Sequence, residues 1–407
     1  MVERISWQGT IIVGAGVSGI LLSLHLANRG ENVLLVDQQG LGGGQTGHCH
    51  GYIHRGYIYE RITKAEIELL ARGAAWWEAA VGHSLDERFR SVLGFDTHEV
   101  KDSVTMSWAD AGLATGEAAP NPFSYEQSAM TVDEWSMTPV QVLEREWNKQ
   151  PLKPSTVTAR IAQLQPHDGG ATAIAQTPQG NFSLTGDRWI ITAGTESTSL
   201  IPRGSPSSVL GSRMSFMVVA RSQSLYPDTF CLRTSAARGM FGCSRELRGQ
   251  RYSLISNYVS FGRDVDHGIA RWSWLQDIQH TLARSLPHLW EDPEALWGVY
   301  RAPKAEVNDG SMAVPSGTAW ETSNQVYIFS PGKLTTAPAL VEDFIGKLPL
   351  HEGTPASNDG ESLGRYSPLS WLPELWTQIP LVSRFALFGA ERGDHLVEAR
   401  HRIGVLQ

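Results

Sequence analysis

A short β-branched run, Thr10 to Val13, stops at Gly14-Ala15-Gly16-Val17-Ser18-Gly19, and the residues from Ile20 to Gly30 then place Ile20, Leu21, Leu24 and Leu26 at helical spacing. Asn32 to Asp37 comes next as a second apolar run ending on an acid. The order predicts strand, tight turn, helix and strand. Each glycine in it has a reason: Gly14 permits the turn, Gly16 keeps a Cβ away from anything laid on the turn, and Gly19 lets helix and strand approach closely. The start of the helix offers unpaired N–H groups and a positive dipole end, which suit a pyrophosphate. Asp37, about twenty residues after the glycines, can accept from both ribose hydroxyls of an adenosine and would repel a 2′-phosphate. These features predict a dinucleotide site for FAD or NAD rather than NADP.

At 407 residues the chain is long enough for two domains with full cores. A net charge of -8 and a pI near 5.9 give no basic patch for nucleic acid, so none is expected as a partner. Cys49, Cys231 and Cys243 are odd in number and far apart in sequence, which argues against a disulfide framework and for a reducing compartment. The first residues carry an early acid and no apolar core of a signal peptide, and no run approaches a membrane span, so a cytoplasmic location is expected. The 14 tryptophans suit either an aromatic-lined pocket or large core positions.

The stretch beyond Asp37 separates the two dinucleotides. Instead of another helix and parallel strand, Gln38 leads into GGGQTGHCHGYIHRGYIYE (Gly42 to Glu60), and then into a helix around TKAEIELLARGAAWWEAAVG. Later, residues 159–194 read as a three-stranded meander with turns at His167-Asp168-Gly169-Gly170 and Pro178-Gln179-Gly180, closing on Ala193-Gly194. This order resembles the FAD-dependent oxidoreductases of the D-amino-acid oxidase and glycerol-3-phosphate dehydrogenase superfamily. Gln45-Thr46-Gly47-His48, Gly51, Ile53-His54, Gly56 and Tyr57 are similar to the flavin loop of L-2-hydroxyglutarate dehydrogenases and oxidases. So are Trp297 to Gly310 and the segment from Phe329 to Ile345, whose GKLTT is also similar to glycerol-3-phosphate dehydrogenase.

The resemblance implies an α/β + β architecture. It has a Rossmann-like FAD-binding domain of glutathione-reductase type (1–88, 141–209, 294–347), an antiparallel-sheet substrate domain (89–140, 210–293), and a linker with a C-terminal helical extension (348–407). It implies FAD contacts from Gly14, Gly16, Val17, Ser18, Gly19, Asp37 and Gln38, from Gly44, Gln45, Thr46, Gly47, His48, Cys49, His50 and Gly51, from Ile161, Ala193 and Gly194, and from Gly332, Lys333, Leu334 and Thr335. The SPGKLTT stretch is expected to open a helix whose N–H groups face the flavin edge that gains negative charge.

By the same resemblance, Arg301 is the expected carboxylate clamp and His54 the expected general base, since an unperturbed imidazole titrates near neutral pH. Plainer readings stand beside these: a structural ion pair for Arg301, and a hydrogen bond to flavin or a backbone carbonyl for His54. Covalent attachment of flavin through His48 is a further alternative. His48, Cys49 and His50 lack a second ligand cluster of recognisable spacing, so no metal site is expected. Lys333 replaces a small residue of the 2-hydroxyglutarate pattern.

The implied reaction is hydride transfer from a C–H bearing a hydroxyl or amine to flavin N5, on a 2-hydroxy acid or amino-acid-like substrate that can be larger and more apolar than 2-hydroxyglutarate. Oxygen, a quinone or a protein would serve as acceptor. Residues 210–293 match the relatives poorly, and no group for a second carboxylate is found there; Trp272, Trp274, Trp290 and Trp297 crowd the end of this region. Two other classes are weighed: an FAD-dependent monooxygenase or halogenase using NAD(P)H, for which Gly393-Asp394-His395 is a displaced motif, and a non-redox flavin binder. Beyond residues 351–368, a polar connecting stretch, Trp371, Leu372, Leu375, Trp376 and Ile379 recur at helical spacing despite Pro373. A helix packed on the enzyme, or a lid or docking element, is expected there.

Overall fold

The computed structural model describes residues 2–82, 89–114, 116–200, 210–226, 228–233, 239–257, 259–262, 267–307, 318–323, 325–349 and 363–388. Asp309-Gly310, the polar stretch 351–362 and Gly393-Asp394-His395 lie outside the described residues.

Two sheets organise the chain. The first is built on β1 (Glu3–Val13), β2 (Val33–Asp37), β7 (Ser155–Thr158), β10 (Gly180–Ile191) and β18 (Val326–Ser330), which run parallel in the order β18-β10-β1-β2-β7. β17 (Thr318–Ser323) adds an antiparallel edge, and β8 (Arg160–His167) and β9 (Gly170–Thr177) form with β10 the expected meander. Alternation sorts the side chains: Trp7, Ile11, Val13, Leu34, Val36, Phe182 and Trp189 face a core under the meander, while Ile12, Val33, Leu35 and Ile190 face the helices. That helical layer comprises α1 (Val17–Asn28), α3 (Lys64–Val81), α5 (Pro139–Lys149) and α7 (Ala337–Lys347). A capping box starts α3, with Thr63 Oγ1 accepting from Glu66 N and Glu66 Oε2 accepting from Thr63 N.

The second sheet runs β19 (Val382–Ser383), β16 (Leu296–Val307), β11 (Leu210–Arg221), β14 (Gln250–Asn257), β13 (Met240–Leu247), β12 (Thr229–Arg233), β4 (Phe89–Phe95), β6 (Ser128–Ser136) and β3 (Tyr52–Ile53). β5 (Glu117–Ala118) joins β6 and β15 (Phe261–Gly262) joins β11. Its pairs are antiparallel except β12 with β4. One face packs on α6 (His267–Ser285) through Phe216, Val218, Trp274 and Trp297; the other, with Met217, Val219, Leu93 and Tyr300, packs with Tyr52, Tyr57 and α4 (His98–Ala111), which contributes Trp108. Trp274 and Trp297 are therefore core residues and Trp290 packs against them, so large core positions account for this cluster.

Three expectations change. The Gly44 to Gly56 stretch is not a plain loop: it contains the five-residue helix α2 (Gly44–His48) and β3, whose backbone pairs with β6. β16, grouped by sequence with the nucleotide-binding segment 294–347, pairs along β11 from Leu210↔Val307 to Arg221↔Leu296 and so belongs to the second sheet. In place of a helical extension, the described part of the C-terminus is an extended strap. Trp371 bridges to Leu41, Leu375–Gln378 makes one 3-10 turn, and Arg384–Phe388 forms a short α-helix. Pro373 and Pro380 lack the N–H a helix needs, and the apolar side chains go to separate cores: Trp371 against Trp147, Trp376 into the second sheet, Phe388 between Trp290 and Trp297. Among the described residues no helix is long and apolar enough to cross a membrane.

Candidate functional site

A cavity of about 660 Å³ lies between the carboxyl ends of the parallel strands and the inner face of the second sheet. At its base, Gly14 has φ +106° and donates its N–H to Val36 O at 2.8 Å; a Cβ there would stand 2.6 Å from Thr192 O. A Cβ on Gly19 would stand 1.8 Å from Gly14 O, so only glycine closes the helix onto the turn. Asp37 lines the cavity and also stitches the turns: Oδ2 accepts from Ala15 N, Oδ1 from Gln39 N and Gly40 N. Thr46 Oγ1 accepts from Val17 N, tying α2 to the start of α1.

The segment after α2 is shaped by a residue that sequence reasoning missed. Glu134 is 1 % exposed and its Oε1 accepts from the N–H groups of Arg55, Gly56 and Tyr57, while Oε2 takes the Tyr52 hydroxyl. An acid on the buried side of an alternating strand, after Met130 and Val132, was the available signal. Gly51 is held as tightly: a Cβ would meet Met137 O at 2.0 Å and Arg245 Nη2 at 2.6 Å. α3 supports the opposite wall, with Trp77 Nε1 donating to Leu334 O and Gly73 closing on Thr335, whose O would lie 2.0 Å from an added Cβ.

Of the expected contacts, Gly14, Gly16, Val17, Ser18, Asp37, Gln38, Gly44, Gln45, Thr46, His48, Cys49, His50, Gly51, Ile161, Ala193, Gly194, Gly332, Lys333 and Leu334 all line the cavity. Gly19, Gly47 and Thr335 do not; they stand behind it. Thr335 Oγ1 accepts from His54 N and donates to Tyr52 O.

The two expected catalytic residues separate. His54 lines the cavity, 5 % exposed, its ring between Tyr52 and Tyr59, and its Nδ1 and the Tyr59 hydroxyl are buried with no hydrogen-bond partner among the described residues. Arg301 does not line it. On β16 the side chains alternate: Tyr300, Ala302 and Lys304 face the cavity side, whereas Trp297 and Val299 face α6, so Arg301 emerges on that side, exposed and near Arg271. Lys304 is the cation this strand presents to the cavity, and period-two counting from Trp297 would have found it.

The electrostatics around the histidines are those of a buried, positive wall. Burial, then Lys333 and His50, holds the His54 imidazole well below its ordinary value, and burial with Lys304, Arg245 and Lys333 depresses His50 to about 3. Both rings are therefore neutral at neutral pH, which removes the ground on which His54 was expected to act as a base titrating near 7. His48, bonded through Nδ1 to Gly44 O, is also lowered by burial, and burial raises the Cys49 thiol to about 12. Among the described residues, the acidic side chains of the lining are Asp37 and Glu196. No tryptophan among the described residues lines the cavity; Tyr52, Tyr59, Phe241 and Phe329 do. Among the described residues no group of three or more His, Cys, Asp or Glu could hold a metal.

Residues 10–340 match the model of the DAO family, described as FAD dependent oxidoreductase. The chain belongs to that family. It is 31% identical over 107 residues to the probable FAD-dependent oxidoreductase PA4991 of Pseudomonas aeruginosa, a match covering 26% of each chain. The crystal structure of that protein superposes with a TM-score of 0.64 at 19% identity, covering 93% of this chain and 99% of the other. Glycine oxidase from Geobacillus kaustophilus shares the fold with a TM-score of 0.63 at 15% identity, over 86% and 95% of the two chains.

This DAO-family oxidoreductase is FAD-dependent, and the cavity fits that group. Gly44, Gly194 and Gly332 have φ of +58°, +57° and +70°, and at Gly44 and Gly194 no protein atom lies within 4 Å of an added Cβ, so bare backbone faces the cavity. The orphaned His54 Nδ1 and Tyr59 hydroxyl await polar partners of the kind a flavin carries. The volume lies in the range of roughly 300–1,000 Å³ usual for ligand sites.

Proposed function

We propose that this chain oxidises the C–H bond next to the amine of a 2-amino acid, with the substrate carboxylate held by Lys304 and Lys333. The carrying observation is the charge of the cavity wall, which both lysines line: Lys304 and Lys333 each help to depress buried His50, and Lys333 also depresses His54. Bound FAD supplies the two-electron acceptor.

One property of the chain suits any 2-substituted acid, and two support the amine over the hydroxyl. The lysines attract a carboxylate and, once it is bound, fix the neighbouring carbon. The same positive potential disfavours a substrate ammonium, so the amine can enter neutral without a strong enzyme base. The histidines lining the wall are weak bases, poorly matched to an alcohol proton. His54 Nδ1 and Tyr59 act in this reading as hydrogen-bonding groups that orient what lies against them. Burial of the wall excludes water and strengthens each of these interactions.

Anaerobic mixing of the purified holoprotein with a panel of 2-amino acids tests the reading through bleaching of the flavin band. A panel that leaves the band intact, together with bleaching by NADPH, would overturn it in favour of a monooxygenase.

A further inference from the structure

The C-terminal strap and β13 each bring a buried charged side chain to the part of the fold that holds the flavin-side segment. Arg245 on β13 is 1 % exposed; its Nη1 donates to Ser136 Oγ at 2.9 Å and Ser244 O at 2.6 Å, and its Nη2 donates to His50 O. Its Nε has no hydrogen-bond partner among the described residues. The guanidinium thus lies directly under His50-Gly51, where Gly51 leaves no room for a side chain. A buried guanidinium held by neutral acceptors needs a counter-charge.

Glu374 is the acid brought nearest to it by the fold: Arg245 Nη2 and Pro139 Cδ stand 2.6 and 2.9 Å from the point a Gly51 Cβ would occupy, and the next residue, Val140, donates its N–H to Glu374. It sits in the strap, 4 % exposed, with Oε1 accepting from Val140 N at the start of α5 and Oε2 accepting from Trp376 Nε1 at 2.5 Å. Arg245 is the cation that stabilises its ionised form. The strap lies beyond residues 10–340, the span matched by the family model.

We propose that Glu374 is a positioning residue for the flavin site: through Arg245 it sets the positive potential beneath His50-Gly51, and the strap thereby tunes how readily the bound FAD accepts electrons. Ionised Glu374 offsets the guanidinium. Protonated Glu374 leaves that charge uncompensated, and the site becomes more favourable to negative charge on the cofactor.

The titration falls where it can matter. Burial raises the Glu374 carboxyl to about 7, with Arg245, Trp376 Nε1 and Val140 N–H pulling the other way. The other groups facing it are Cys49 of the flavin-side segment and Tyr300 of β16, and burial raises both far enough that they stay neutral between about pH 6 and 9. Tyr252 of β14 meets the Trp376 ring.

The test is the flavin midpoint potential of the holoprotein against pH, by dye-referenced reductive titration, for wild type and Glu374→Gln. The expected result is convergence at about pH 6 and separation at about pH 8.5, the variant lying higher by about tenfold in the reduced-to-oxidised ratio at fixed potential. Parallel or coincident profiles would overturn the proposal and leave Glu374 a purely structural tie. Trp376→Phe gives an independent reading, also if Glu374→Gln fails to fold or load FAD. Losing the Trp376 donor destabilises the carboxylate and moves the inflection to higher pH, whereas an unmoved inflection contradicts the proposal.

Discussion

Glu134 and Tyr52 meet in a buried hydrogen bond of 2.6 Å, and the other oxygen of the same carboxylate gathers three consecutive backbone N–H groups from Arg55 to Tyr57. One acid therefore fixes the turn that carries His54 into the cavity. Glu134→Ala leaves those donors buried and unpaired, at a cost of roughly 3–5 kcal/mol. The expected outcome is a marked fall in Tm and loss of bound FAD on gel filtration. Retention of stoichiometric FAD at wild-type Tm would contradict this role.

Lys304 and Arg301 make a discriminating pair, three positions apart on β16 but on opposite faces of the sheet. Lys304→Met is expected to raise KM for an acid substrate by roughly 10- to 100-fold, from losing a charged hydrogen bond, with a smaller change in kcat. Arg301→Met is expected to leave both constants near wild type. Steady-state kinetics of the two variants, side by side, checks the assignment; the reverse pattern would restore the arginine as the clamp.

Arg188 and Glu31 form an ion pair of 3.2 Å with both side chains 2 % exposed, and Arg188 Nη2 also donates to Pro349 O. Removing one partner strands a buried charge. Arg188→Met should lower unfolding free energy by roughly 3–5 kcal/mol in urea titrations, while the flavin spectrum of the folded fraction stays unchanged. A loss within about 0.5 kcal/mol would mean that the pair is solvated.

The buried histidines give stability a pH signature. The folded-state value of His50, about 3, lies below that of an unfolded histidine, so its contribution is complete above about pH 6.5 and is lost as pH falls toward 3. Glu374, raised to about 7, acts with opposite sign between about pH 4.5 and 7, so the comparison of variants isolates each. His50→Gln is expected to flatten the acid limb of the Tm curve relative to wild type. An acid limb of the same slope in both proteins would place the loss elsewhere.

How far the sequence was legible depends on how local each signal is. The fingerprint from Gly14 to Asp37 is set by backbone sterics and short-range period, and the structure reproduces its strand, turn, helix and strand. The meander was legible for the same reason, since Gly169-Gly170 and Gly180 mark its turns. Side-chain direction on β16 was not, because the family motif pointed to Arg301 while the strand's register against β11, set by partners some ninety residues away, turned Lys304 inward. Glu134 and Glu374 were hidden by distance too: each acts on segments far from it in sequence. The strap was misread because apolar spacing cannot distinguish a helix from an extended chain that buries successive residues in different cores. Pro373 and Pro380 were the decisive local signs.

The most direct measurement of the central claim is anaerobic rapid mixing of the holoprotein with matched pairs of a 2-amino acid and the corresponding 2-hydroxy acid, following the flavin band. Bleaching by an amino acid, with the matched hydroxy acid much slower, is the expected result. Bleaching by the hydroxy acid alone would contradict the amine assignment, and bleaching only by NADH or NADPH would contradict the oxidation of an acid substrate altogether.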